Sequence, residues 1–131
     1  MRLELMNAVV MAADYVKLRD WYIDALELEL KEEWTEKFHY AELVKNGKLV
    51  VGIADAKEMG VTPHEEKKNA TLVAQFNVDD VAAFLARVKE KGGEVPFGPS
   101  YDPDNDLHFG GFSDIEGNPC WVVQMPQLLS D

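Results

Sequence analysis

The sequence predicts an α+β fold made of two βαβββ units whose mixed sheets curve around a shared cleft. Three observations carry that prediction. Two apolar, strand-like segments, residues 3–13 and 71–78, each run into an aspartate that is followed by an amphipathic helical stripe. The two aspartates, Asp14 and Asp80, stand 66 residues apart in a chain of 131, so the pattern recurs at half its length. After each helix come about three strands, with a glycine-containing tight turn before the last. The organisation is one domain over 1–131, with unit one at about 1–55, a linker at 56–70 and unit two at about 71–126.

Each element has a local reason. Residues 3–13 are apolar on both alternating faces apart from Asn7, the pattern of a strand covered on both sides. Asp14 suits a helix N-cap, because its carboxylate can accept free backbone N–H groups of the first turn. Leu18, Trp21, Tyr22, Ala25 and Leu26 then repeat at helical spacing. Residues 28–35 and 37–45 read as strands, and Asn46-Gly47 is a two-residue hairpin signal, since both residues tolerate positive φ. The returning strand covers 48–54. The polar stretch 55–70, with Gly60 and Pro63, reads as a surface loop, and His64 within it as a solvated side chain. In 71–78, Leu72, Ala74, Phe76 and Val78 alternate with Thr71, Val73, Gln75 and Asn77. Asp79-Asp80 caps a helix carrying Val81, Phe84, Leu85 and Val88, which Gly92-Gly93 ends. A short strand at 94–97, a Pro- and Asp-rich loop at 98–106, a strand at 107–112, a turn at 113–118 and a last strand at 120–125 complete the chain.

Composition bounds the function. The chain carries 24 acidic and 13 basic residues, a net charge of −11. That sign repels nucleic acid and anionic membranes; it keeps a surface solvated and concentrates cations near any cleft. No apolar run approaches the about 20 residues needed to span a bilayer, and the N-terminal segment lacks the apolar core of a secretory signal. One cysteine, Cys120, excludes a disulfide framework and fits a reducing cytoplasm. Its alternation with Trp121 points it to the helix-covered face as an inert thiol. Gly92-Gly93 and Gly110-Gly111 lack the spacing of a phosphate loop, no hydrolase triad is in motif context, and no histidine pair has metal spacing. Asp102, Asp104 and Asp106 read as a solvated turn near a cleft mouth.

The runs VVMAADYVKLRDWYIDALEL, FNVDDVAAFLARVKEKGGEV and FSDIEGNPCWVVQM resemble the vicinal oxygen chelate superfamily, which includes glyoxalase I, extradiol dioxygenases, fosfomycin-resistance enzymes and bleomycin-resistance proteins. The most specific pieces are the turn Phe112-x-Asp114-x-x-Gly117-Asn118 and the Trp21-Tyr22-x-Asp24-x-Leu26 pattern. The resemblance implies the glyoxalase/bleomycin-resistance fold and, in its enzymes, a divalent metal held by His, Gln or Glu at up to four inward positions. Carried onto this chain, those positions fall at Asn7, Val51 (Gly52 if the register slips by one), Val73 and Trp121. Valine and indole offer no lone pair to such a cation, so no bound metal and no cofactor are expected.

The resemblance then implies a cleft wall of Leu5, Asn7, Val9, Met11, Val73, Gln75, Asn77, Trp121, Val123 and Met125. This is an apolar, Met- and Trp-lined concavity with a few amides, the composition of a small-molecule pocket. Asn7, Met11, Val51, Val73, Gln75, Trp121, Met125 and His108 are the ligand-binding candidates, and no catalytic residue is assigned. Trp121 could stack on an aromatic or cationic ligand. The reading this favours is a homodimer that binds or sequesters a small hydrophobic or cationic compound, without nucleic acid or membrane partners. The alternative is a metal-dependent lyase, isomerase or dioxygenase with an unusual ligand set such as His39, Glu42 or His108.

Overall fold

The computed structural model describes residues 1–63, 67 and 70–129, and the chain divides into two compact units, Met1–His64 and Glu65–Asp131. The first contains β1 (Ala8–Ala12), α1 (Tyr15–Ala25), β2 (Glu29–Trp34), β3 (Tyr40–Lys45) and β4 (Lys48–Asp55). Its sheet has the order β1-β4-β3-β2, with β1 parallel to β4 and the other pairs antiparallel. The second contains β5 (Ala74–Val78), α2 (Val81–Glu90), β6 (Glu94–Asp102), β7 (Leu107–Ser113) and β8 (Pro119–Gln124), in the order β5-β8-β7-β6 with β5 parallel to β8. The fold is therefore α+β, one βαβββ unit used twice. The repeat is strict where it matters most: Ala8–Ala12 and Ala74–Val78, like Asp14 and Asp80, are offset by the same 66 residues.

Both aspartates cap as expected, Asp14 Oδ1 accepting from the Lys17 N–H at 3.2 Å and Asp80 Oδ1 from that of Ala83 at 3.0 Å. Each helix buries its stripe on one face of its own sheet. In unit one Leu18, Trp21, Tyr22 and Ala25 cover the face bearing Ala41, Leu43, Val51 and Ile53. In unit two Val81, Leu85 and Val88 cover Phe112, Cys120 and Val122. Phe112 is the centre of that core, its ring 5.2 Å from Phe84 and 5.9 Å from Phe76. Asn46 and Gly47 take positive φ, as a tight hairpin needs.

Three boundaries differ from the sequence expectation. The first strand begins at Ala8, and Leu3 and Leu5 lie outside it, exposed. In the parallel register Ala8 faces Val51, and β4 itself begins only at Lys48, so the residues before Leu5 have no neighbouring strand to pair with. Likewise β5 begins at Ala74 and excludes Val73. In the other direction β6 runs on to Asp102 through Gly98 and Pro99, which read locally as a loop. It is an edge strand, where a proline costs no ladder bond, and two register shifts absorb the irregularity. The expectation for His64 lies outside the described residues.

Candidate functional site

With one face of each sheet taken by its helix, the chemistry of the other is set by register. In unit two, Gln75 of β5 pairs with Trp121 of β8, Trp121 with Gly111 of β7, and Gly111 with Phe97 of β6. These four form one row on the open face. The Trp121 indole is 52% exposed there. Gly111 supplies no side chain, and the Phe97 ring fills the gap: a Cβ at Gly111 would stand 2.6 Å from Phe97 Cζ. Gly110, pointing the other way, leaves the corresponding room for Leu85 under α2. Two consecutive glycines thus let an aromatic ring approach β7 from one side and a leucine from the other.

Around this row is a cavity of about 300 Å³ lined by Gln75, Phe97, Leu107, Phe109, Trp121 and Val123, with Asp102 as its only ionisable side chain among the described residues. The volume matches a small organic ligand, and apolar walls with a few polar groups are how such sites are built. Phe97 and Phe109 have ring centroids 6.3 Å apart. Asn105 Nδ2 donates to Asp102 Oδ2 at 2.8 Å and the Asp104 N–H to Oδ1 at 3.0 Å. The Asn105 bond foremost, with the backbone N–H groups, holds this carboxyl below the usual range, so it is charged at neutral pH.

The remaining candidates are distributed as follows. Gln75 and Trp121 line the cavity; Val73, Met125 and His108 do not. His108 lies on the opposite alternation from Leu107 and Phe109, its ring 4.7 Å from that of Tyr101. Asn77 is structural: its Nδ2 donates to the Met125 carbonyl at 2.9 Å and its Oδ1 accepts from the Met125 N–H at 2.8 Å, extending the β5–β8 ladder by one side chain. Asn7, Met11 and Val51 belong to unit one. The Asn7 amide donates to the Ala8 carbonyl at 2.9 Å. Met11 pairs in register with Ala54. Val51 is 1% exposed in the helix-covered core, so the slipped register is the one adopted, and Gly52 occupies the open-face position opposite Val9. Sequence reading overlooked Phe97, Leu107 and Phe109, and took Asp102 for part of a solvated turn near a cleft mouth. The alternation of Leu107, Phe109 and Gly111 was available to it; Phe97 was read as the end of a short strand, and the loop-like composition of 98–102 concealed that β6 continues past it to Asp102.

His39 has other work. His39 Nδ1 lies 2.6 Å from Glu58 Oε1, and the His39 N–H donates to Glu58 Oε2 at 2.7 Å. Its ring packs 5.3 Å from that of Tyr15. Tyr15 in turn donates its hydroxyl to Glu33 Oε2 at 2.7 Å, and Arg19 forms an ion pair with the same oxygen at 2.6 Å. Burial first, then the Glu33 carboxylate, push the Tyr15 hydroxyl far above its ordinary range. The Tyr15 hydrogen bond, followed by Arg19, holds Glu33 below the usual carboxylate range. Among the described residues no three His, Cys, Asp or Glu side chains come together as a metal site. Asn7, Gly52, Val73 and Trp121 do not supply the donor set that a divalent metal needs.

The signature turn is a folding device. Asp114 is 3% exposed; its Oδ1 accepts from the N–H groups of Glu116 at 2.9 Å and Asn118 at 3.0 Å, while Asn118 Nδ2 reaches Oδ2 at 2.9 Å. Gly117 takes the positive φ the turn requires. Gln124 continues the order beyond it, its Oε1 accepting the first free N–H of α2, that of Val81, at 2.9 Å.

Among the described residues no helix is long and apolar enough to cross a membrane. No curated protein matches the chain at a significant level. Solved structures share the fold: TnmS3, an antibiotic binding protein from Streptomyces sp. CB03234, has a TM-score of 0.71 at 21% identity, over 94% of this chain and 96% of its own. A member of the glyoxalase/bleomycin resistance protein/dioxygenase superfamily from Sphaerobacter thermophilus DSM 20745 has a TM-score of 0.73 at 17% identity, over 95% and 98%. TioX from Micromonospora sp. ML1 has 0.69 at 17%, over 92% and 98%. The family model described as Glyoxalase/Bleomycin resistance protein/Dioxygenase superfamily matches residues 5–122. With nearly its whole length matched, the chain belongs to that superfamily.

Proposed function

We propose that this protein binds a small, flat, largely apolar compound on the open face of its second unit, without a metal ion. The observation that carries the reading is the Trp121 indole, half exposed in a cavity that Phe97, Leu107 and Phe109 complete. A large aromatic surface left open to water is costly unless something covers it, and an aromatic ligand recovers both burial and ring–ring contact. Asp102 at the same cavity, together with the net charge of −11, favours a ligand carrying positive charge. The antibiotic-binding name of TnmS3 lies in the same direction. Sequestration, with the compound unchanged, is the simplest role for a site that offers no nucleophile or metal donor set. The reading includes a homodimer in the cytoplasm, where the lone buried Cys120 stays reduced.

Trp121 provides its own assay. Titration with 9-aminoacridine, a planar cation at neutral pH, is expected to quench its fluorescence saturably, and neutral acridine to bind several-fold more weakly. Trp121→Ala and Phe97→Ala should each lower the affinity by tenfold or more while unfolding remains cooperative. Undiminished affinity in both variants sinks the site. Sedimentation of a monomer at micromolar concentration would remove the dimer from the reading.

A further inference from the structure

The hairpin that joins β3 to β4 carries a reactive pair of residues. Lys45 and Lys48 are the last partners of the ladder, so Asn46 and Gly47 alone make the turn. Both are exposed, and both take positive φ, 51° and 78°. Asn46 is the one asparagine of six that is followed by glycine. Its amide has no hydrogen bond among the described residues. Asn7, Asn77, Asn105 and Asn118 are each tied down, their Nδ2 atoms donating to the Ala8 and Met125 carbonyls and to the Asp102 and Asp114 carboxylates. Nothing stands within 4 Å of the place a Cβ of Gly47 would take, so that side of the Gly47 backbone is open.

We propose that Asn46 is a site of covalent self-modification, converted through a cyclic imide with Gly47 into an isoaspartyl linkage. The Gly47 nitrogen bonds to Asn46 Cγ and gives up its proton, while the Cγ–Nδ2 bond breaks and Nδ2 departs as ammonia. Water then opens the five-membered imide. If the bond from the Gly47 nitrogen to Cγ is cut, an ordinary aspartyl residue remains. If the bond to the main-chain carbonyl carbon is cut, the chain runs on through Cβ and Cγ. No oxidant or reductant is involved. Glycine permits the attack because no Cβ crowds its nitrogen. The ring fixes the torsion about the Cα–C bond outside the left-handed region that Asn46 occupies in the turn, so closure waits for the hairpin tip to open. The end of a ladder is where such opening costs least. The isoaspartyl product adds one main-chain carbon to a two-residue turn, and turn length is what sets a hairpin's register. In this register Leu43 stands opposite Val51, both in the core. The longer turn cannot keep Lys45 opposite Lys48, so the β3–β4 ladder loosens from its tip inward.

The test ages the full-length protein for several weeks in mildly alkaline buffer at physiological temperature and follows it by peptide mass mapping and anion exchange. A one-dalton gain is expected in the peptide holding Asn46 and Gly47, at least tenfold faster than at any other asparagine, with most of the product methylated by an isoaspartyl methyltransferase. Direct hydrolysis of the amide would yield the aspartyl form alone, so the isoaspartyl fraction reports the imide. Asn46→Gly keeps a turn that accepts positive φ and should abolish the mass gain. The chain unfolded in guanidinium should react several-fold faster than the folded one. The aged isoaspartyl form, separated by its extra negative charge, should exchange the Lys45 and Lys48 amide protons tenfold faster than the parent. Freshly made Asn46→Asp carries the same charge without the added carbon and should exchange them within twofold of the parent. Absence of an isoaspartyl product at Asn46, an equal rate at another asparagine, a mass gain that persists in Asn46→Gly, equal rates in the folded and unfolded chain, or parental exchange in the isoaspartyl form overturns the proposal.

Discussion

Gly111→Ala tests how the second-unit cavity is built. The added methyl would meet Phe97 Cζ at 2.6 Å and Cδ1 at 2.9 Å, well inside van der Waals contact, so the ring must leave its seat. It can do so cheaply, being 42% exposed on an edge strand. Swinging the covered half of the ring into water re-exposes about 100 Å², at most about 2.5 kcal/mol. Replacing a strand glycine with alanine returns about 0.5–1 kcal/mol through the unfolded chain. The net expectation is a loss of up to about 1.5–2 kcal/mol in urea unfolding, with 9-aminoacridine affinity reduced about tenfold because the Phe97 wall is displaced. The decisive measurement is the double-mutant cycle. In a Phe97→Ala background the clash is gone, and the same Gly111→Ala change should become neutral or stabilising by about 0.5 kcal/mol. An equal cost in both backgrounds would refute the assignment of Phe97 to that seat.

Asp114→Ala removes a buried carboxylate that organises the β7–β8 turn and should cost about 3 kcal/mol, a fall in melting temperature of roughly 10 °C; a fall below about 2 °C would show that the turn forms without it. Asn77→Ala deprives the Met125 N–H and carbonyl of their partners, at about 2 kcal/mol, and hydrogen exchange at the Met125 amide should accelerate ahead of the β8 centre. Glu33 is held below its ordinary range, so its stabilising contribution is present above the unfolded-state value of about 4.3 and is lost as pH falls through the folded-state value. Glu33→Gln should therefore be less stable than the parent at pH 7 and converge with it in acid, a pH-independent difference being the contrary result. Tyr15, shifted far upward, should remain protonated in an ultraviolet titration carried past the ordinary tyrosine value of about 10.

The order of elements, both aspartate caps, both helical stripes, the Asn46-Gly47 hairpin and the half-chain repeat were legible because each depends on neighbours within a few residues. The Phe112–Asn118 turn was legible for the same reason, and it carried the superfamily with it. Of the candidate site, alternation placed Gln75 and Trp121 on one face, since their strands are regular and each turns every second side chain the same way.

Register and partner availability were matters for the tertiary structure. A one-residue slip separates Val51 in the core from Gly52 on the open face, and only the parallel pairing of Val9 with Gly52 decides it. How far β1 could pair toward its N-terminus is limited by where β4 starts, some 40 residues away along the chain. β6 takes its strand from β7 despite two prolines, because its outer edge needs no partner. The seats of Phe97 on Gly111 and Tyr40 on Gly52 arise from cross-strand approach, which no local spacing encodes. The sequence by itself thus determined which segments are strands and helices and the repeat that relates them. Which side chains share a face, and so what each face can bind, was decided by long-range hydrogen-bond registers in which one step exchanges core for solvent.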